Sequence, residues 1–157
     1  MEMTLMKILK YRLNRGRYAD DEFSLTVVLT LDCNFACTYC YEKHGNENFA
    51  GANESPVGVS VISKKVQETV LELVRKKAEK YKTIHITWYG GESLLAIDII
   101  DMLSKDILNI CREAGVRYDA VLVTNGYLLN EVKPEKLTDI GITSIQVSID
   151  GPRATHD

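Results

Sequence analysis

Ile84-His85-Ile86-Thr87-Trp88-Tyr89-Gly90-Gly91-Glu92 alternates strictly for six residues and then breaks at a glycine pair. A period of two is the spacing of a strand, with Ile84, Ile86 and Trp88 on one face and His85, Thr87 and Tyr89 on the other. Parallel strands buried on both faces read as near-continuous apolar runs, so a polar face points to a curved sheet with a wet interior. On the N-terminal side, Ser63 is placed to cap a helix running to about Tyr81, with Val66, Val70, Leu73, Val74 and Ala78 on one face. Before it, His44 to Gly58 has the composition of a loop, and Phe23 to Leu31 that of a strand. On the C-terminal side, a helix is expected over Ile97 to Ala114, with Ile100, Leu103, Ile107, Ile110 and Ala114 on one face and Gly115 as its cap. A third strand covers Asp119 to Thr124. A short helix follows over about Glu131 to Ile140, capped by Asn130 and stopped by Gly141. The fourth strand, Thr143 to Asp150, sets Ile145, Val147 and Ile149 against Ser144, Gln146, Ser148 and Asp150.

Strands alternating with helices imply an α/β fold of parallel strands joined by right-handed crossovers. With one polar face on the second and fourth strands, the expected architecture is a partial (β/α) barrel. In such folds the chemistry lies beyond the C-terminal ends of the strands. Those ends carry a cysteine loop, Gly90-Gly91-Glu92, Thr124-Asn125-Gly126 and Ser148-Ile149-Asp150, so four motifs converge on one rim.

The cysteine loop reads Cys33-Asn34-Phe35-Ala36-Cys37-Thr38-Tyr39-Cys40. Three thiols cannot all pair with one another, and Cys111 lies far along the chain on a helix, where it reads as core, so a disulfide framework explains them poorly. Three thiols also leave one position of a four-ligand site open, which is where chemistry happens at a metal. Composition bounds the rest. The 157 residues suffice for one ordinary core, at 45% hydrophobic and 26% charged. A net charge of -3 argues against a nucleic-acid binder driven by bulk electrostatics. No stretch approaches a membrane span, and no secretory signal is evident, so closely spaced thiols imply a reducing cytoplasm.

Leu31-Asp32-Cys33-Asn34-Phe35-Ala36-Cys37-Thr38-Tyr39-Cys40-Tyr41 resembles the cluster-binding signature of the radical S-adenosylmethionine (SAM) superfamily, and Trp88-Tyr89-Gly90-Gly91-Glu92-Ser93-Leu94-Leu95 resembles its glycine-glycine-glutamate segment. Thr124-Asn125-Gly126 and Val147-Ser148-Ile149-Asp150-Gly151-Pro152 resemble segments of its peptide- and protein-modifying, SPASM-type branch. The family usually has proline where Ser93 stands, and serine caps a helix well.

The resemblance implies the N-terminal portion of a (β/α)6 barrel: an extension over residues 1–22, then an incomplete core over residues 23–157 that is inactive without its later strands. It implies that Cys33, Cys37 and Cys40 ligate a [4Fe-4S] cluster whose fourth iron receives SAM. Reductive cleavage would then yield a 5′-deoxyadenosyl radical that abstracts hydrogen from a peptide or protein. The electron would come from a reductant such as ferredoxin or flavodoxin. Cofactor contacts are expected from Tyr39 near the adenine and from Gly90 and Gly91, whose missing side chains let backbone approach a ligand. Glu92 is expected as a carboxylate acceptor in the segment at the SAM ammonium, Asn125 as an amide at a strand end, and Ser148 and Asp150 as a pair suited to a ribose diol. An open half-barrel also exposes its last strand, so some self-association is expected.

Plainer readings stand beside these. His44 could close a structural zinc site with the three thiols, or the chain could be a partial barrel without a cofactor. The three cysteines could share one buried helical face. Gly90-Gly91 and Asn125-Gly126 are common turn pairs, and Ser148 and Asp150 could simply face water.

Overall fold

Strand β1 (Glu22–Val28) pairs in parallel with β4 (Thr83–Tyr89), which pairs with β5 (Arg117–Thr124), which pairs with β6 (Ile142–Val147). This computed structural model describes residues 21–37, 40, 53–54, 60–149 and 151. The connections carry α1 (Lys64–Ala78), α2 (Ile97–Ala114) and α3 (Pro134–Asp139). The four-stranded parallel sheet alternating with helices is the partial (β/α) barrel expected from the alternation.

The period of two in β4 sorts its side chains. Ile84, Ile86 and Trp88 are fully buried beneath the helices, beside Val27 of β1 and Ala120 and Leu122 of β5. Burial of each large apolar side chain contributes about 1.5–3 kcal/mol, so this face supplies much of the driving force. The opposite face is polar and half-buried. The register aligns Thr26, Thr87, Val121 and Ser144 in one row, and Ser24, His85 and Asp119 in another nearer the N-terminal ends. There His85 lies between Glu22 Oε2 at 3.5 Å and Asp119 Oδ2 at 3.6 Å, and Arg117 pairs with Asp119 at 2.7 Å.

The helices begin and end for local reasons. Ser63 Oγ accepts the Val66 N–H at 3.3 Å and caps α1 as expected. Gly115 ends α2 at φ 67, and the following Val116 N–H reaches back to Cys111 O at 2.8 Å. Cys111 is buried on α2, as its place on an apolar face implied.

Four expectations need correction. Val66 is exposed, and Gln67 takes the inward position instead, because its Nε2 can donate to Ile62 O at 2.8 Å. Ala114 likewise faces solvent, at the last residue of α2. The short third helix starts at Pro134 rather than after Asn130; proline lacks an N–H and is suited to the first helical position, while Lys133 before it is extended. A separate 3-10 turn, Leu129–Glu131, precedes it. Finally, the stretch from His44 to Gly58 is not all loop. Asn53–Glu54 (β2) pairs antiparallel with Ser60–Val61 (β3), because Ile62 N–H docks on Leu29 O at 2.9 Å and holds β3 in place as a template.

β6 is one of the two edge strands of the described sheet, opposite β1. Ile145 is in register with buried Leu122, yet Ile145, Val147 and Ile149 are 42%, 40% and 74% exposed. No helix of the described residues is long and apolar enough to cross a membrane.

Candidate functional site

The cysteine loop springs from the end of β1, and its root is clamped on two sides. On one side the β1–β4 ladder continues past both strands: Leu29 N–H donates to Tyr89 O, Gly91 N–H to Thr30 O and Glu92 N–H to Asp32 O, each at 2.9 Å. This approach is possible only without side chains. A Cβ on Gly90 would collide with Thr30 O, and one on Gly91 would lie 2.5 Å from Asp32 O and 2.6 Å from Leu31 O. The two glycines therefore make room for the chain's own backbone. On the other side, buried Thr30 donates its hydroxyl to Ser60 O at 2.5 Å and accepts the Asp32 N–H at 3.0 Å, while Asp32 Oδ2 accepts the Ser60 N–H at 2.6 Å.

Glu92 is fully buried. Its Oε1 accepts the Leu94 N–H at 2.9 Å and the Thr124 hydroxyl at 2.7 Å, and its Oε2 accepts the Asn125 N–H at 2.8 Å. The carboxylate thus caps the turn Ser93–Ala96 that leads into α2, where unpaired N–H groups favour a negative charge. Ser93, standing where the family usually has proline, is not the cap; Glu92 is, and Ser93 Oγ turns back to Trp88 O at 3.4 Å. Glu92 fastens the end of β4 to the end of β5, with its oxygens directed at the chain's own donors.

All three loop cysteines are free thiols: Cys33 is exposed, and Cys37 and Cys40 are half-buried. Cys33 Sγ accepts the Phe35 N–H at 3.4 Å and lies 3.8 Å from Asn125 Nδ2 and 3.9 Å from Asn34 Oδ1. Partial burial pushes the Cys33 thiol above its ordinary pKa, and the negative charge of Glu92 and of Cys37 adds to the rise. The Phe35 N–H and the Asn125 amide oppose it. Cys40 N–H closes a turn on Cys37 O at 3.2 Å. Among the described residues, no three His, Cys, Asp or Glu side chains are already gathered to hold a metal ion. Ligands are commonly drawn together by the metal they bind, and three free thiols within eight residues of one loop are the right donors for iron.

Asn125 joins the motifs. Its main chain is held by Glu92, its Oδ1 accepts the Tyr127 N–H at 2.9 Å, and its Nδ2 donates to Asn34 Oδ1 at 2.8 Å. The Phe35 and Tyr127 rings meet edge-on, 5.7 Å apart. Ser148 sits beside this group, its N–H on Thr124 O at 3.1 Å and its side chain exposed. Cys33, Gly90, Gly91, Glu92 and Asn125 are therefore brought onto one rim. Tyr39, Asp150 and His44 lie outside the described residues. Thr30, Asn34, Ser60 and Tyr127 were missed by sequence reasoning. Only Asn34, inside the cysteine spacing, carried any local signal.

Residues 27–156 match the radical SAM superfamily. The chain belongs to that superfamily. Its relatives include the Fe-coproporphyrin III synthase of Methanosarcina barkeri, 26% identical over 82% of this chain and 27% of that protein. The probable GTP 3′,8-cyclase of Methanocaldococcus jannaschii is 30% identical over 87% of this chain and 39% of that protein. The chain thus spans roughly a third of the length of these relatives. Among solved structures, a histidine-tagged anSMEcpe with bound AdoMet superposes with a TM-score of 0.59 at 22% identity, covering 86% of this chain and 34% of that one. BtrN in complex with AdoMet and 2-DOIA gives 0.56 at 22%, covering 82% and 46%. These likenesses place the fold among radical SAM (β/α) barrels. The family's cofactors are a [4Fe-4S] cluster and SAM.

Proposed function

We propose that this chain carries the N-terminal, cofactor-binding portion of a radical SAM enzyme, with Cys33, Cys37 and Cys40 as the cluster ligands. One observation supports it above the others: the loop bearing the three thiols is bonded directly to Gly91 and Glu92, so both family motifs form one unit. When bound, the cluster and SAM supply reductive cleavage of a sulfonium C–S bond and a 5′-deoxyadenosyl radical that takes hydrogen from substrate.

The chain's own part is to hold and shield. Thr30, Asp32 and Ser60 fix where the loop leaves the sheet. The buried Glu92 carboxylate sets the spacing between the β4 and β5 rims, which leaves main-chain groups, rather than that carboxylate, to meet a ligand there. Gly90, Gly91, Asn125, Ser148, Asp150 and Tyr39 are proposed around SAM, with Ser148 and Asp150 toward its ribose. A core over residues 23–157 after an extension over 1–22, a cytoplasmic setting, an electron from a ferredoxin or flavodoxin and inactivity of this portion by itself belong to the same proposal. A peptide or protein substrate is supported by the likeness of the Thr124–Gly126 and Val147–Pro152 segments alone. The relatives bear the names of a GTP cyclase and a porphyrin synthase, which favour small molecules equally.

Anaerobic iron–sulfur reconstitution tests the proposal. Wild type should take up close to four irons per chain, and the Cys33/Cys37/Cys40 triple alanine variant almost none. Equal uptake by both would refute it, and one zinc per chain would move the assignment to a structural site.

A further inference from the structure

The amide of Asn125 has only one way to point. Its main-chain N–H is held by the buried Glu92 carboxylate at 2.8 Å. Its Oδ1 is taken by the Tyr127 N–H at 2.9 Å, which fixes the amide against a flip. Nδ2 therefore faces the cysteine loop, 2.8 Å from Asn34 Oδ1 and 3.8 Å from Cys33 Sγ, with two hydrogens to share between these two acceptors. The Phe35–Tyr127 edge contact holds the two loops at that spacing. Cys33 thus receives one donor from its own loop, the Phe35 N–H, and one from a side chain 92 residues distant.

We propose that Asn125 donates a side-chain N–H to the Cys33 sulfur when that sulfur ligates the cluster, and so raises the cluster's reduction potential. This rests on the reading that the three thiols bind a cluster. A donor at a ligating sulfur draws electron density from it and favours the more negative, reduced state of the one-electron couple. Asn125 is on this account a positioning and tuning residue: it touches a cluster ligand, not the substrate.

Potentiometric titration followed by electron paramagnetic resonance, on anaerobically reconstituted protein, provides the test. Asn125→Ala should load as much iron as wild type. At the wild-type midpoint its ratio of reduced to oxidised cluster should fall several-fold, a tenfold fall being about 59 mV. Asn125→Asp keeps the acceptor for Tyr127 N–H but loses the donor, and should shift the same way. Asn34→Ala frees the amide of its second acceptor and should leave the ratio unchanged or higher. Fully loaded Asn125 variants with the wild-type ratio would overturn the inference. So would an Asn34→Ala shift as large as that of Asn125→Ala, which would assign the effect to loop position, or a failure of both Asn125 variants to load where wild type loads. A wild-type chain that takes up no iron would instead sink the cluster reading, and this inference with it.

Discussion

Gly91→Ala isolates the close approach that holds the cysteine loop. Gly91 does not need positive φ, so alanine suits its backbone, and restricting the unfolded chain would by itself stabilise the protein by about 0.4–1 kcal/mol. The new Cβ, however, would sit 2.5 Å from Asp32 O and 2.6 Å from Leu31 O, both main-chain atoms that cannot rotate aside. Overpacking of this kind costs about 1–3 kcal/mol. Separating the strands also breaks the Gly91–Thr30 and Glu92–Asp32 bonds, at about 1 kcal/mol each. The net expectation is a loss of about 2–5 kcal/mol, a large share of a typical domain's 5–15 kcal/mol.

Urea unfolding under reducing conditions reads the stability, and iron uptake on reconstitution reads the site. Both should fall for Gly91→Ala. Gly115→Ala is the control: a Cβ there meets nothing within 4 Å, so only its φ of +67 is penalised, by about 1–2 kcal/mol, and iron uptake should stay at the wild-type level. A Gly91→Ala urea midpoint at or above that of wild type would show that the glycine pair is not there for the loop root, and the reasoning would fail.

Three other outcomes are expected. Glu92→Gln turns one acceptor oxygen into a donor against Leu94, Thr124 or Asn125, and should cost about 1–3 kcal/mol in urea unfolding; an unchanged midpoint would contradict the buried fastening role. Burial pushes the Cys111 thiol from 9.0 up to about 11 and the Tyr118 hydroxyl from 10.0 up to about 12. The unfolded chain gives up these protons first, so stability is complete below pH 9 and declines through about pH 11–12, by at most about 1.4 kcal/mol per unit per group; Cys111→Ala should remove the first part of that slope, and flat midpoints from pH 9 to 11 would refute it. The exposed edge of β6 should promote self-association, read as a mass by light scattering that rises with concentration and falls for Val147→Lys; a monomer at all concentrations would count against it.

The elements were legible where one force dominated. Ile84, Ile86 and Trp88 alternate because one face is buried, and period alone found β4. Ser63 and Gly115 were found because capping is a local hydrogen-bonding matter. The failures were of other kinds. Gln67 outranks Val66 as an inward residue because the Ile62 carbonyl, just before the helix, accepts from its amide, and hydrophobicity cannot report that. Asn130 has the right side chain for a cap and suggests a start at Glu131, but Pro134, with no N–H to leave unpaired, decides where the helix begins. β2 was hidden because two residues have no period; they pair only once β3 has docked.

The site divides the same way. Residue types and spacing could name Cys33, Gly90, Gly91, Glu92 and Asn125, since each lies at the end of a recognisable strand. They could not say what those residues touch. Glu92 and Asn125 are 33 positions apart, Asn125 and Cys33 are 92, and no periodicity spans such gaps. Yet the contacts form one chain, from the Leu94 N–H through the Glu92 carboxylate to the Asn125 main chain, and from the Asn125 amide to the Cys33 sulfur. Links in such a chain are not independent, because moving Asn125 shifts a donor at Cys33 and unpairs an oxygen of Glu92 at once. A Glu92 variant should therefore disturb the cysteine loop even though its carboxylate touches none of the thiols, and a double-mutant cycle between Glu92→Gln and Asn125→Ala should be non-additive in the free energy of urea unfolding. Additivity would mean that the motifs are merely neighbours on the rim.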